Sequence, residues 1–208
     1  MKDIQETIEK IESELRESPG EPDLHNELGI GYHMLGEYGD AIQEFKEAVD
    51  RSPKVAKYHF NLANSYYESD RIELAINSYM DAIDLKPDYV PAINNLADIY
   101  EIAGKTEKAR ELFEYITRIE PENALGYLNL GNHFLRDNDT VEAGKNYRKA
   151  IELDSACYEA YNNIGFILKH LGKYEEALPY FEKCLQINPD YQPAIKDLEK
   201  CREELQST

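Results

Sequence analysis

The sequence predicts an all-α fold of stacked antiparallel helix pairs, and three observations carry that prediction. The chain repeats every 34 residues: Asn61, Asn95, Asn129 and Asn163 fall at that spacing, as do Ala41, Ala75, Ala109, Ala143 and Ala177. Within each repeat, apolar residues recur at helical spacing in two runs, such as Leu62 and Tyr66 and then Ala75, Tyr79 and Ala82. Breakers separate the runs, namely Gly36, Asp70, Gly104, Asn138 and Gly172 between them and Pro19, Pro53, Pro87, Pro121 and Pro189 after the second, with Ser155 in the one gap. A fixed period of this length marks a supersecondary unit that cannot bury its apolar face alone, so neighbours must stack.

Taken in order, residues 3–18 place Ile4, Ile8, Ile11 and Leu15 on one helical face ahead of Pro19, which predicts a lone helix capping the first repeat. The other use of that face is to bind a second copy of the chain, and self-assembly through the terminal helices or the convex face would give a weak homo-oligomer and a structural scaffold. Five repeats follow, at 22–55, 56–89, 90–123, 124–157 and 158–191. In each, the first helix ends at a residue type that tolerates a left-handed backbone. The second stops where proline pushes its predecessor out of the helical region. Gly29, Ala63, Ala97, Gly131 and Gly165 on the first helices and the regularly spaced Ala on the second let backbones approach, and large residues fill the space. Those are Tyr32, Tyr66, Tyr100, Phe134 and Leu168 from the first helix, and Phe45, Tyr79, Phe113, Tyr147 and Phe181 from the second. Residues 192–206 repeat the first-helix pattern with Ile195 and Leu198 and then turn charged, as a polar cap on a repeat stack must. The whole chain, 1–208, reads as one domain.

Composition excludes several function classes. Forty-one acidic against 23 basic residues give a formal charge of −18, which repels nucleic acid and anionic lipid surfaces. Residues 1–123 hold 27 acidic and 13 basic side chains, a net of −14, so a basic partner is drawn to the N-terminal part. No stretch approaches the roughly 20 apolar residues that span a bilayer, and residues 1–18 alternate Ile with Glu and Lys instead of forming a signal peptide, so a cytoplasmic location is expected. Cys157, Cys184 and Cys201 form no C-x-x-C pair and fit reduced thiols, Cys184 as a small packing residue. There is no G-x-S-x-G, no phosphate-cradling glycine loop and no informative Cys/His spacing, which predicts a protein that is not an enzyme and uses no cofactor or metal.

The strings "HNELGIGY", "HFNLANSYY" and "YLNLGNHF", with "AIQEF", "AINSY" and "ALPYF" after them, resemble the tetratricopeptide repeat (TPR) family across residues 22–191. The family's Trp position holds His25, His59, Ile93, Tyr127 and Tyr161. The resemblance implies an α-solenoid of about twelve helices, a right-handed superhelix whose first helices line a concave groove. It also implies an adaptor that binds a protein or peptide segment there. In this family the second, fifth, sixth, ninth, twelfth and thirteenth residues of a repeat face the groove. Here the sixth is Asn61, Asn95, Asn129 and Asn163, with Glu27 in the first repeat; Asn64 and Asn132 stand at the ninth, and Asn26, Asn94 and Asn162 at the fifth. An amide both donates and accepts, so such a ladder suits the backbone of an extended peptide, the competing view being that the amides satisfy local polar groups. Pockets are expected around Phe60 and Tyr67, around Leu125, Leu128 and Leu135, and around Phe166. Arg136 and Lys169 suit an acidic group, and Glu68, Asp98 and Glu101 a basic one. The family's carboxylate clamp for acidic chaperone tails does not match, because the corresponding positions hold Asn26, Ile30, Asn61, Pro91 and Asn95.

Overall fold

In a computed structural model that describes residues 2–206, every regular element among those residues is a helix. The order is α1 (Lys2–Glu17), α2 (Pro22–Leu35), α3 (Tyr38–Arg51), α4 (Ala56–Glu68), α5 (Ile72–Leu85), α6 (Val90–Ile102), α7 (Thr106–Ile119), α8 (Ala124–Arg136), α9 (Thr140–Leu153), α10 (Tyr158–His170), α11 (Tyr174–Ile187) and α12 (Gln192–Gln206). They fall into two bodies, Met1–Lys105 and Thr106–Thr208, with the boundary between α6 and α7 of the third repeat. In the first, α2 pairs with α3 and α4 with α5, α1 packs on α2, and α6 on α5. In the second, α8 pairs with α9 and α10 with α11, and α12 packs on α11 and α10.

Backbone chemistry sets the joints. All five break residues adopt positive φ: Gly36 at 81°, Asp70 at 60°, Gly104 at 68°, Asn138 at 61° and Gly172 at 72°. At Gly36 the cap N–H returns to the carbonyl of His33, and the next N–H to Tyr32, so the helix end is hydrogen-bonded as it turns. Before two of the prolines the chain is extended, with φ −139° at Lys86 and −127° at Asn188, and before a third Ser52 has left the helical region at φ −140° and ψ 73°. The repeat lacking proline reaches the same geometry, φ −134° at Asp154, and there the Asp154 carboxylate accepts from the Ala156 N–H at 2.9 Å. A side-chain-closed turn thus substitutes for the ring.

Packing follows the small-against-large pattern. Ala41, Ala75, Ala109, Ala143 and Ala177 are fully buried, and Phe45, Tyr79, Phe113, Tyr147 and Phe181 are at most 1% exposed. The second-helix rings sit directly on the small first-helix residues: a Cβ added to Gly29 would lie 2.7 Å from Phe45, one on Gly131 2.6 Å from Tyr147, and one on Gly165 2.8 Å from Phe181. The cap works likewise, since a Cβ on Gly31 would meet Ile8 at 2.7 Å, and Ile8 and Ile11 are buried with Leu28. Cys184 is a packing residue as expected, and Cys157 and Cys201 are buried in core clusters too.

Candidate partner-binding grooves

Each body has an open cavity on its first helices. In the N-terminal body a cavity of about 370 Å³ is lined by His33 of α2, Asn64, Tyr67 and Glu68 of α4, and Asn95, Asp98 and Ile99 of α6, with Tyr79 of α5 beneath. In the C-terminal body a cavity of about 700 Å³ is lined by Leu135 of α8, by Asn162, Asn163 and Phe166 of α10, and by α12 from Gln192 to Glu199.

The amides form ladders, but their first partners are one another. Asn61 donates through Nδ2 to Asn26 Oδ1 at 2.8 Å. Asn95 donates to Asn64 Oδ1 and to the Tyr79 hydroxyl, both at 3.1 Å, and Tyr79 donates onward to Asn64 Oδ1 at 2.5 Å. The C-terminal body repeats the motif: Asn163 donates to Asn132 Oδ1 at 2.9 Å, Tyr147 donates to the same oxygen at 3.0 Å, and Asn162 donates to Asn163 Oδ1 at 3.2 Å. Burial pushes the Tyr79 phenol up to about 12, with the Asn95 bond opposing, and Tyr147 also moves well above the usual value, so both remain donors at neutral pH. These bonds are the local pairing that stood as the alternative to a peptide ladder. Asn61, Asn95 and Asn163 spend donors on the amides of the preceding first helix, because a half-buried amide beside another amide and a buried hydroxyl gains more by pairing than by waiting for a ligand.

The other expected residues divide. Tyr67 is 37% exposed on the N-terminal cavity, and Phe60 is half-buried with its ring 5.2 Å from Tyr89 and 6.0 Å from Tyr79. Asn94 is half-buried and donates to Asp98 at 3.2 Å, and Asn129 is half-buried on α8. Phe166 lines the C-terminal cavity; Arg136 is exposed at the end of α8, and Leu125 is 59% exposed. Leu128 belongs to the core instead of the groove, 6% exposed among Ala143, Tyr147 and Ile164. Lys169 is not available to an acidic ligand: its Nζ lies 2.5 Å from Asp197 Oδ1, and both side chains are mostly buried.

Asp197 and the rest of the α12 lining are what sequence reasoning missed. The signal was present, because carrying the 34-residue register one step past Asn163 gives Asp197, and the second and fifth positions of that step are Pro193 and Lys196. Reading 192–206 only as a cap hid that it also extends the groove wall.

Comparisons with known proteins agree with this architecture. Models of the tetratricopeptide repeat match residues 5–56, 26–90, 78–111 and 158–191, about two thirds of the chain together. A UDP-N-acetylglucosamine--peptide N-acetylglucosaminyltransferase of Giardia intestinalis is 33% identical over 79 residues, 38% of this chain and 5% of that protein. The human mitochondrial import receptor subunit TOM70 is 32% identical over 81 residues, 38% of this chain and 13% of that protein. The chain thus spans only a small fraction of the curated relatives it matches. Among solved structures, the C-terminal part of a TPR repeat-containing protein from Cytophaga hutchinsonii superposes with a TM-score of 0.80 over 97% of this chain and 81% of that one, at 18% identity. With the 34-residue period, the left-handed breaks and the ring-on-glycine packing all in place, the chain belongs to the tetratricopeptide repeat family.

Proposed function

We propose that the chain is a non-catalytic protein-interaction scaffold that holds an extended segment of a partner protein against the first helices of its repeats. The observation that carries this reading is the lining of the two cavities. In each body three successive first helices, α2, α4 and α6 or α8, α10 and α12, line one open surface, with polar, aromatic and aliphatic side chains between them. TOM70, named as an import receptor subunit, supports a binding role; the transferase match covers 5% of that protein and lends this chain no catalytic reading.

The N-terminal cavity favours a basic residue of the partner. Glu68 is on its lining, Tyr67 offers a ring face to a cation, and residues 1–105 hold 22 acidic and 10 basic side chains. Self-assembly through the terminal helix is the weaker alternative, because Ile8 and Ile11 of α1 are already 5% and 7% exposed against α2.

Selection of displayed peptides on the full chain tests the proposal. Peptides enriched on the wild type should bind the Tyr67→Ala, Glu68→Lys double variant about tenfold or more weakly, the loss of one interface hot spot, with the melting temperature unchanged. Enriched peptides that bind both proteins equally would place the interaction away from the N-terminal cavity.

A further inference from the structure

The ladder of the C-terminal body ends on an acceptor that has no donor. In the first repeat, Asn26 is buried and its Oδ1 is satisfied by Asn61, 35 residues further on. Asn162 stands at the same position of the fifth repeat and is 6% exposed, and the residue 35 further on is Asp197. An ionised carboxylate has no proton to give, and this one is turned to Lys169. Asn162 Oδ1 is accordingly a buried acceptor without a hydrogen-bond partner. It carries the desolvation cost of a polar atom without the bond that normally offsets it.

That atom belongs to a residue lining the cavity of about 700 Å³, whose apolar wall is Leu135, Phe166 and Ile195. Its one side-chain bond, Nδ2 to Asn163 Oδ1 at 3.2 Å, is the longest in either ladder, so this amide is the one least tied to its neighbour. We propose that this cavity anchors an extended partner segment, whose backbone N–H bonds Asn162 Oδ1 while an adjacent large apolar side chain lies on Phe166, Leu135 and Ile195. The inference rests on the scaffold reading and narrows it to one anchor. A missing donor beside an apolar wall is the complement of an extended chain, which carries an N–H and a side chain within one residue. Lys196 and Glu199 stand on the same lining with opposite signs, and Asp197 is neutralised by Lys169, so the anchored residue is uncharged. Asp197 is the positioning residue, because an Asn there would supply the donor from within the chain.

The test is a side-chain and backbone NMR titration of the full chain with a blocked heptapeptide of alanines around a central phenylalanine. The control is the same peptide N-methylated at phenylalanine and the following residue. The unmethylated peptide should shift Asn162, Asn163, Phe166 and Ile195, and the methylated one should bind about tenfold more weakly, as loss of one well-formed hydrogen bond implies. Asn162→Leu, which no longer buries an acceptor, should melt at or above the wild-type temperature and lose the preference between the peptides. Equal binding of both peptides, no binding by either, or a variant that melts lower yet keeps the preference would overturn the anchor. Shifts confined to the N-terminal cavity would overturn it and leave the scaffold reading standing, whereas shifts confined to the second helices would overturn both.

Discussion

At the scale of single residues, two glycines separate the two reasons a repeat protein needs glycine. Gly131 sits in an ordinary helix with Tyr147 where its Cβ would be, whereas Gly172 is at φ 72° with nothing within 4 Å of that position. Gly131→Ala therefore sets an overpacking cost of about 1–3 kcal/mol against a helix-propensity gain of about 1 kcal/mol. Gly172→Ala meets only the left-handed penalty of about 1–2 kcal/mol. Urea titration should show both destabilised, and a gain in stability at Gly131→Ala would contradict the ring-on-glycine packing. His133 supplies a pH dependence. It is fully buried between Phe113 and Phe134, and burial holds its imidazole below the ordinary 6.5 although Asp137, 3.6 Å away, pulls the other way. With the folded value lowered, the unfolded chain takes up a proton first. Stability is then full above about pH 6.5 and is lost as pH falls through and below that value. The urea midpoint of the wild type should drop between about pH 7.5 and 5.5 by more than that of His133→Phe, and equal drops would remove His133 as the cause.

At the scale of elements, the joints were the most legible part of the sequence. Gly36, Asp70, Gly104, Asn138 and Gly172 were identifiable because few residue types tolerate positive φ, and all five adopt it. The hairpin core was legible for the same kind of reason, since a small residue facing a ring leaves little choice of geometry. Rung chemistry was not legible. Asn types and their spacing predict where the amides stand, but whether they serve a ligand or each other depends on Tyr79 and Tyr147, whose hydroxyls reach back from the second helix to Asn64 and Asn132. Asn95 is consequently part of the fold. Asn95→Ala removes the donor to both Asn64 and Tyr79, and thermal or urea unfolding should register a loss of about 1–2 kcal/mol; unchanged stability would mean the rung contributes nothing to joining α4 and α6.

At the scale of the whole molecule, a repeat that could be read directly carries a binding surface that could be read only in part. The groove-facing register placed Tyr67, Asn163 and Phe166 on the cavities, yet it also put Leu128 there, which packs in the core with Ala143, Tyr147 and Ile164. It omitted Pro193, Lys196 and Asp197, because a helix with a charged tail looks like an ending although its first turns continue the wall. The central claim is that partners are held on the first helices. Hydrogen exchange on the full chain, with and without a display-selected peptide, measures it most directly. Added protection is expected in α4 and α6 or in α10 and α12, and none in α3, α5, α9 and α11. Protection concentrated on those second helices would contradict it.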